Sequence, residues 1–109
     1  LVGEVKGTIA VLVDDMVDTA GTLTEASKVV SAAGADEVMA CATHPILSDP
    51  ACKRLNSSKI VELVTTNTIP LQATAQADLN NLRVLSVATL IAEAVRRIHN
   101  EESVSSLFV

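Results

Sequence analysis

The stretch Val11-Leu12-Val13-Asp14-Asp15-Met16-Val17-Asp18-Thr19-Ala20-Gly21-Thr22 restricts the fold more than any other part of this chain. Thr8 to Val13 is a short run rich in β-branched residues, as expected of a parallel strand covered on both faces. At Asp14 the run stops, and hydrogen-bonding and flexible residues take over. Beyond Thr22, apolar residues recur at Leu23, Ala26, Val30 and Ala33, one face of a helix over about Thr22 to Ala33 that ends at Gly34. Glu37 to Ala42 makes a second short strand. A strand–helix–strand unit takes a right-handed crossover, which sets the two strands parallel.

In open parallel sheets, ligands sit beyond the carboxyl ends of the strands, against the next helix. The unpaired N–H groups and dipole of that helix's first turn attract an anion. Gly21 permits close backbone approach and a positive φ, while Thr19 and Thr22 add hydroxyl donors. Asp14 and Asp15 suit a different task, accepting hydrogen bonds from sugar hydroxyls or holding Mg²⁺ with its waters. The combination specifies a phosphorylated, polyhydroxylated, metal-assisted ligand. Ordinary turn chemistry competes with this reading, because Thr22 to Glu25 also spells a capping box.

The remaining segments continue the alternation. Residues 1–7 approach the first strand over the surface, with a turn at Gly7. Thr43 to Pro50 is a loop at the same sheet edge as the acidic pair, and Ser48 or Asp49 can cap a short helix over Pro50 to Asn56. His44 in that loop reads as a residue restrained by the following proline, since no nucleophile or carboxylate pairs with it. Ile60 to Thr66 is a third strand, residues 71–81 a loop or one helical turn, and Arg83 to Val87 a fourth strand. A final helix carries the stripe Leu90, Ile91, Ala94, Val95 and Ile98, with Glu93, Arg96 and Arg97 on its solvated side, followed by a tail with an amphipathic tip. Four parallel strands flanked by helices make an α/β domain.

With 109 residues the chain is at most one domain, and with Phe108 its only aromatic residue the core is aliphatic. A net charge of −5 and the absence of a Lys/Arg cluster argue against nucleic acid. No apolar run approaches membrane-spanning length, and no secretory signal pattern is present. Cys41 and Cys52 lack neighbours at metal-ligand spacing and read as reduced, structural side chains of a cytoplasmic protein.

The string Val-Asp-Asp-Met-Val-Asp-Thr-Ala-Gly-Thr resembles the phosphoribosyl-pyrophosphate (PRPP) loop shared by type I phosphoribosyltransferases and ribose-phosphate pyrophosphokinases. Thr43-His44, Thr65-Thr66-Asn67-Thr68-Ile69-Pro70, and Ala92 to Asn100 followed by Glu102-Ser103-Val104-Ser105 resemble the C-terminal domain of the pyrophosphokinase family. This second resemblance runs from about Gly3 to Phe108. It implies a partial phosphoribosyltransferase-like fold over residues 1–109, incomplete on its N-terminal side, with a tail at 100–109. The family transfers diphosphate from MgATP to ribose 5-phosphate, giving PRPP and AMP. The resemblance implies that Asp14 and Asp15 contact the ribose hydroxyls, directly or through Mg²⁺, as the catalytic contribution. It also implies that Asp18, Thr19, Ala20, Gly21 and Thr22 hold the 5-phosphate.

ATP binding falls to an upstream half, so this chain alone is expected not to make PRPP. The family assembles as a hexamer with an effector site between subunits, to which Ser103, Ser105 and Phe108 would correspond; Leu107 reads as packing the tail onto the body, and Phe108 is open between packing and the effector site. Two departures stand out: the family usually has Gly where this chain has Pro45 and Glu101. The first alters the loop after the second strand. The second leaves Asn100 to take the left-handed conformation. Two alternatives compete with an enzyme fragment: a non-catalytic synthetase-associated subunit and a PRPP-consuming phosphoribosyltransferase.

Overall fold

A computed structural model describes residues 2–108; Leu1 and Val109, the outer ends of the approach segment and the tail, lie outside them. The order is β1 (Ile9–Val17), α1 (Gly21–Ala32), β2 (Glu37–Pro45), α2 (Ala51–Asn56), β3 (Ile60–Thr66), α3 (Ala73–Asp78), β4 (Leu82–Leu85), α4 (Ala88–His99) and a 3₁₀ turn at Ser105–Phe108. All three strand pairings are parallel, in the order β1-β2-β3-β4. Because the strands are laid down monotonically, right-handed crossovers bring every connecting helix to the same face.

That face holds the core. Leu12, Ala40, Leu63 and Leu82 form one row across the four strands. Leu23 and Val30 of α1, Ala51 and Leu55 of α2, Ala75 of α3 and the following Leu79 close over it. The opposite face is bare: Ile9, Val11 and Val13 of β1 and Val61 of β3 are exposed. The expectation that the first strand is covered on both faces is therefore wrong for this chain, whose strand order supplies helices to one side only. The smallest dimension of the molecule is 18 Å, room for a sheet and one helix layer.

Strand bounds also differ from expectation. β1 continues through Asp14-Asp15-Met16 to Val17, and β2 continues through Thr43-His44 to Pro45, because the two remain paired as Met16 with His44 and Val17 with Pro45. Ladder pairing overrides the polar local composition. β4 stops at Leu85, because Asn67 draws the chain round: its N–H donates to the Leu85 carbonyl at 3.0 Å and its Oδ1 accepts from the Val87 N–H at 2.9 Å. Neither Ser48 nor Asp49 caps α2 with its side chain; the Ser48 carbonyl accepts from the Ala51 N–H at 2.8 Å instead. Residues 71–81, expected as a loop or one helical turn, hold a short helix at Ala73–Asp78. After α1, Gly34 takes φ 97°, and a Cβ there would lie 3.2 Å from Lys6 Cγ.

α4 has no buried residue; Leu90, Ile91, Val95 and Ile98 are all exposed. Arg96 and Arg97 do more than coat it. Both pair with Glu93, at 2.8 and 2.7 Å, while Arg96 reaches Glu102 and Arg97 donates to the Ser103 carbonyl and the Ser106 hydroxyl. These bonds fold the tail back along the helix. The two arginines hold the Glu93 carboxyl at about 2, below its ordinary 4.5. Since the folded value is depressed, the support is complete above pH 4.5 and is lost as pH falls towards 2. Helicity of α4 should therefore drop across that window, and Glu93→Gln should flatten the acid limb of a circular dichroism titration.

The helix ends with Glu101 at φ 58° while Asn100 stays at −88°. The left-handed position is thus one residue later than expected, at the site where glycine is missing. A side chain there costs about 1 kcal/mol. Glu101→Gly should raise stability by roughly that amount in urea unfolding.

Candidate functional site

At the carboxyl edge of the sheet, Val17 is the last residue of β1 and is buried. Its carbonyl accepts from both Ile46 and Leu47 N–H groups at 3.0 Å, which fastens the end of β1 to the segment after β2. The chain then turns through Asp18 and Thr19 into Ala20, which takes φ 58° as the residue preceding α1. The positive φ expected at Gly21 falls on Ala20 instead. Gly21 is the first helical residue, and a Cβ on it would lie 3.4 Å from Arg54 Nη1.

The capping box is not made. With Ala20 at the cap, no side chain caps the helix; Thr22 is already inside it, and Glu25 pairs with Lys28 at 2.6 Å. Thr24 does not replace the cap, because its buried hydroxyl donates to the Ala20 carbonyl at 2.8 Å and to that of Gly21 at 3.0 Å and accepts from no first-turn N–H. The N–H groups of the first helical turn, which have no carbonyl a turn behind them, are thereby left for an outside acceptor.

Asp14, Asp18, Thr19, Ala20, Gly21 and Thr22 line one depression of about 170 Å³, together with Met16, Val17 and Leu23. Asp15 does not line it. Adjacent residues on a strand project to opposite sheet faces, so the two carboxylates that are neighbours in sequence diverge in space. They remain linked by the Asp15 N–H, which donates to Asp14 Oδ1 at 2.9 Å. Among the described residues no group of three His, Cys, Asp or Glu could hold a metal ion. The donor set fits a hydrated Mg²⁺ held by one or two carboxylates and completed by ligand oxygens.

His44, in β2 rather than a loop, is half-buried, and its Nδ1 lies 2.8 Å from Thr68 Oγ1. The Thr66 and Thr68 hydroxyls both donate to the Thr43 carbonyl, at 2.7 and 3.0 Å. A hydroxyl network across β2 and β3, more than the following proline, restrains the ring. Sequence reasoning missed this network and also Arg54, whose Nη1 donates to the Thr19 carbonyl at 3.0 Å. Both contacts join distant segments and leave no periodicity to find. Burial, and next the charge of Asp78, push the Cys52 thiol up, which suits an unreactive structural cysteine. In the tail, Ser103 Oγ accepts from the Ser105 N–H at 3.2 Å, Leu107 is half-buried, and Phe108 is exposed. The tail and the depression do not share a lining residue.

A parallel sheet whose first strand delivers acids and a Thr-Ala-Gly-Thr turn to a helix N-terminus defines a partial phosphoribosyltransferase-like α/β domain. Within that class the chain belongs to the phosphoribosyl synthetase-associated domain family, whose model matches residues 1–109. It is 53% identical over 108 residues to a ribose-phosphate pyrophosphokinase of Synechocystis and 51% identical over 108 residues to that of Bacillus caldolyticus. Each alignment covers 99% of this chain, which spans about a third of the relatives' length (32% and 34%). A crystal structure of phosphoribosylpyrophosphate synthetase from Mycobacterium smegmatis superposes with a TM-score of 0.86 at 40% identity, over 92% of this chain and 33% of that one. No helix among the described residues is long and apolar enough to cross a membrane.

Proposed function

We propose that this chain supplies the ribose 5-phosphate site of a ribose-phosphate pyrophosphokinase, as a C-terminal part of it. The observation carrying this reading is the single depression that joins Asp14 to the Asp18–Thr22 turn in front of α1. The first-turn N–H groups of α1 and the Thr19 and Thr22 hydroxyls hold the 5-phosphate, with Asp18 accepting from a protonated or hydroxyl oxygen. Asp14 accepts from the ribose hydroxyls and so orients the anomeric oxygen towards the incoming diphosphoryl group. Asp15 contributes from the other side of the strand, through water or Mg²⁺. When bound, Mg²⁺ supplies neutralisation of the negative charge gathered on the diphosphate. Diphosphoryl transfer depends mainly on positioning and charge neutralisation, so these contacts are a catalytic contribution even without a transferring acid or base among them.

ATP binds in the upstream half of such an enzyme, and residues 1–109 are the later part of its phosphoribosyltransferase-like domain. Assembly into a homo-oligomer in the cytoplasm, with Ser103, Ser105 and Phe108 in an effector site between subunits, completes the proposal; the exposure of Phe108 agrees with a role outside this chain's own core. The family's description as synthetase-associated keeps a non-catalytic subunit as the second reading. Calorimetric titration of ribose 5-phosphate with Mg²⁺ separates the two: saturable binding supports the substrate site, and none by the folded chain rejects it. The isolated chain should release no AMP from ATP and ribose 5-phosphate in either case.

A further inference from the structure

The Thr19 carbonyl, one residue before the left-handed Ala20, accepts from Arg54 Nη1 at 3.0 Å, a donor on a different element, α2. Arg54 does not line the depression described above. It lies with Gly21, Thr24, Glu25, Lys28, Ser57 and Ser58 around a second one, and Gly21 is the only residue common to both. The guanidinium therefore touches the turn without lining the depression that Asp14 lines.

We propose that Arg54 is a positioning residue for the anion site, holding the Thr19–Ala20 peptide so that the Ala20 amide faces the depression. This rests on the sugar-phosphate reading of that site. In a trans peptide the carbonyl and the N–H point in opposite directions. Drawing the Thr19 oxygen back towards α2 turns the Ala20 N–H forward, beside those of Gly21 and Thr22. The turn needs such a hold, because Ala20 occupies the left-handed region, which is unfavourable for a residue with a Cβ. The Arg54 side chain is itself well based, next to Leu55, which is buried in the core, and one helical turn after buried Ala51. Its planar donors suit a fixed carbonyl better than a lysine ammonium does. Gly21 sits against the same guanidinium: a Cβ at that position would be in van der Waals contact with Nη1, at 3.4 Å.

The test uses Arg54→Met and Arg54→Lys in the 109-residue chain, with Lys53→Met as a neighbouring control. Without ligand, the ¹H–¹⁵N resonances of Ala20, Gly21 and Thr22 should shift and exchange faster in Arg54→Met. They should move partly back in Arg54→Lys, and stay in place in Lys53→Met. Ribose 5-phosphate affinity should fall about tenfold in Arg54→Met, and the loss should persist at 0.5 M salt. Unmoved amides overturn the proposal, as does an affinity loss that vanishes with salt, which would make Arg54 a distant attracting charge. If the parent chain binds no ribose 5-phosphate, the substrate reading falls, and the ligand-free amide spectra still decide whether Arg54 holds the turn.

Discussion

Asp14→Ala should weaken ribose 5-phosphate binding about a hundredfold, while Asp15→Ala should cost less than about tenfold. Both carboxylates are exposed, and sequence alone treats them as an equivalent pair. The structure separates them, because β1 runs on through Val17 and places them on opposite faces of the sheet. Only Asp14 shares a depression with the Asp18–Thr22 turn. A carboxylate accepting two hydroxyl hydrogen bonds contributes about 1.5–3 kcal/mol for each, discounted here for solvent, whereas a water-mediated contact contributes less. Paired titrations in Mg²⁺ check the order; equal losses in the two variants would show that the strand bends at Asp14 when the site is filled.

The second large effect is on stability. Leu63→Ala should destabilise the chain by about 3 kcal/mol, and Val13→Ala by less than about 0.5 kcal/mol, in urea unfolding. Both are aliphatic residues in the middle of parallel strands. Leu63 is fully buried in the row Leu12-Ala40-Leu63-Leu82 under the helices, and Val13 is 79% exposed on the bare face. Truncating Leu63 leaves a cavity in the core, while truncating Val13 removes a side chain already in water. For a domain whose total stability is of the order of 5–10 kcal/mol, the first loss moves the unfolding midpoint strongly. A comparable loss in Val13→Ala would mean that this face is covered in solution, for instance by association between chains.

Much of this was legible in the residues. The third strand runs from Ile60 to Thr66 as its β-branched run implies, and α1 starts within a residue of its apolar periodicity. Gly34 follows α1 in the left-handed conformation that only a residue of its kind adopts freely. These features are local, set by side-chain period and backbone freedom within a few residues. The misreadings share the opposite origin. Val17 and Pro45 belong to strands because a neighbouring strand pairs with them, Thr22 does not cap because Ala20 takes the bend, and Arg54 reaches Thr19 across 35 positions.

By itself, the sequence determined the class of the domain, the alternation of strand and helix, and the placing of acids and small residues at the end of the first strand. Short-range propensity and period suffice for these, because each involves groups that stay neighbours whatever the fold does. The tertiary structure decided which sheet face is covered, which carboxylate lines a depression with the Asp18–Thr22 turn, and that Arg54 of α2 reaches the Thr19 carbonyl. Those outcomes depend on strand order, ladder register and contacts between distant segments, and they exist only once the chain has closed on itself.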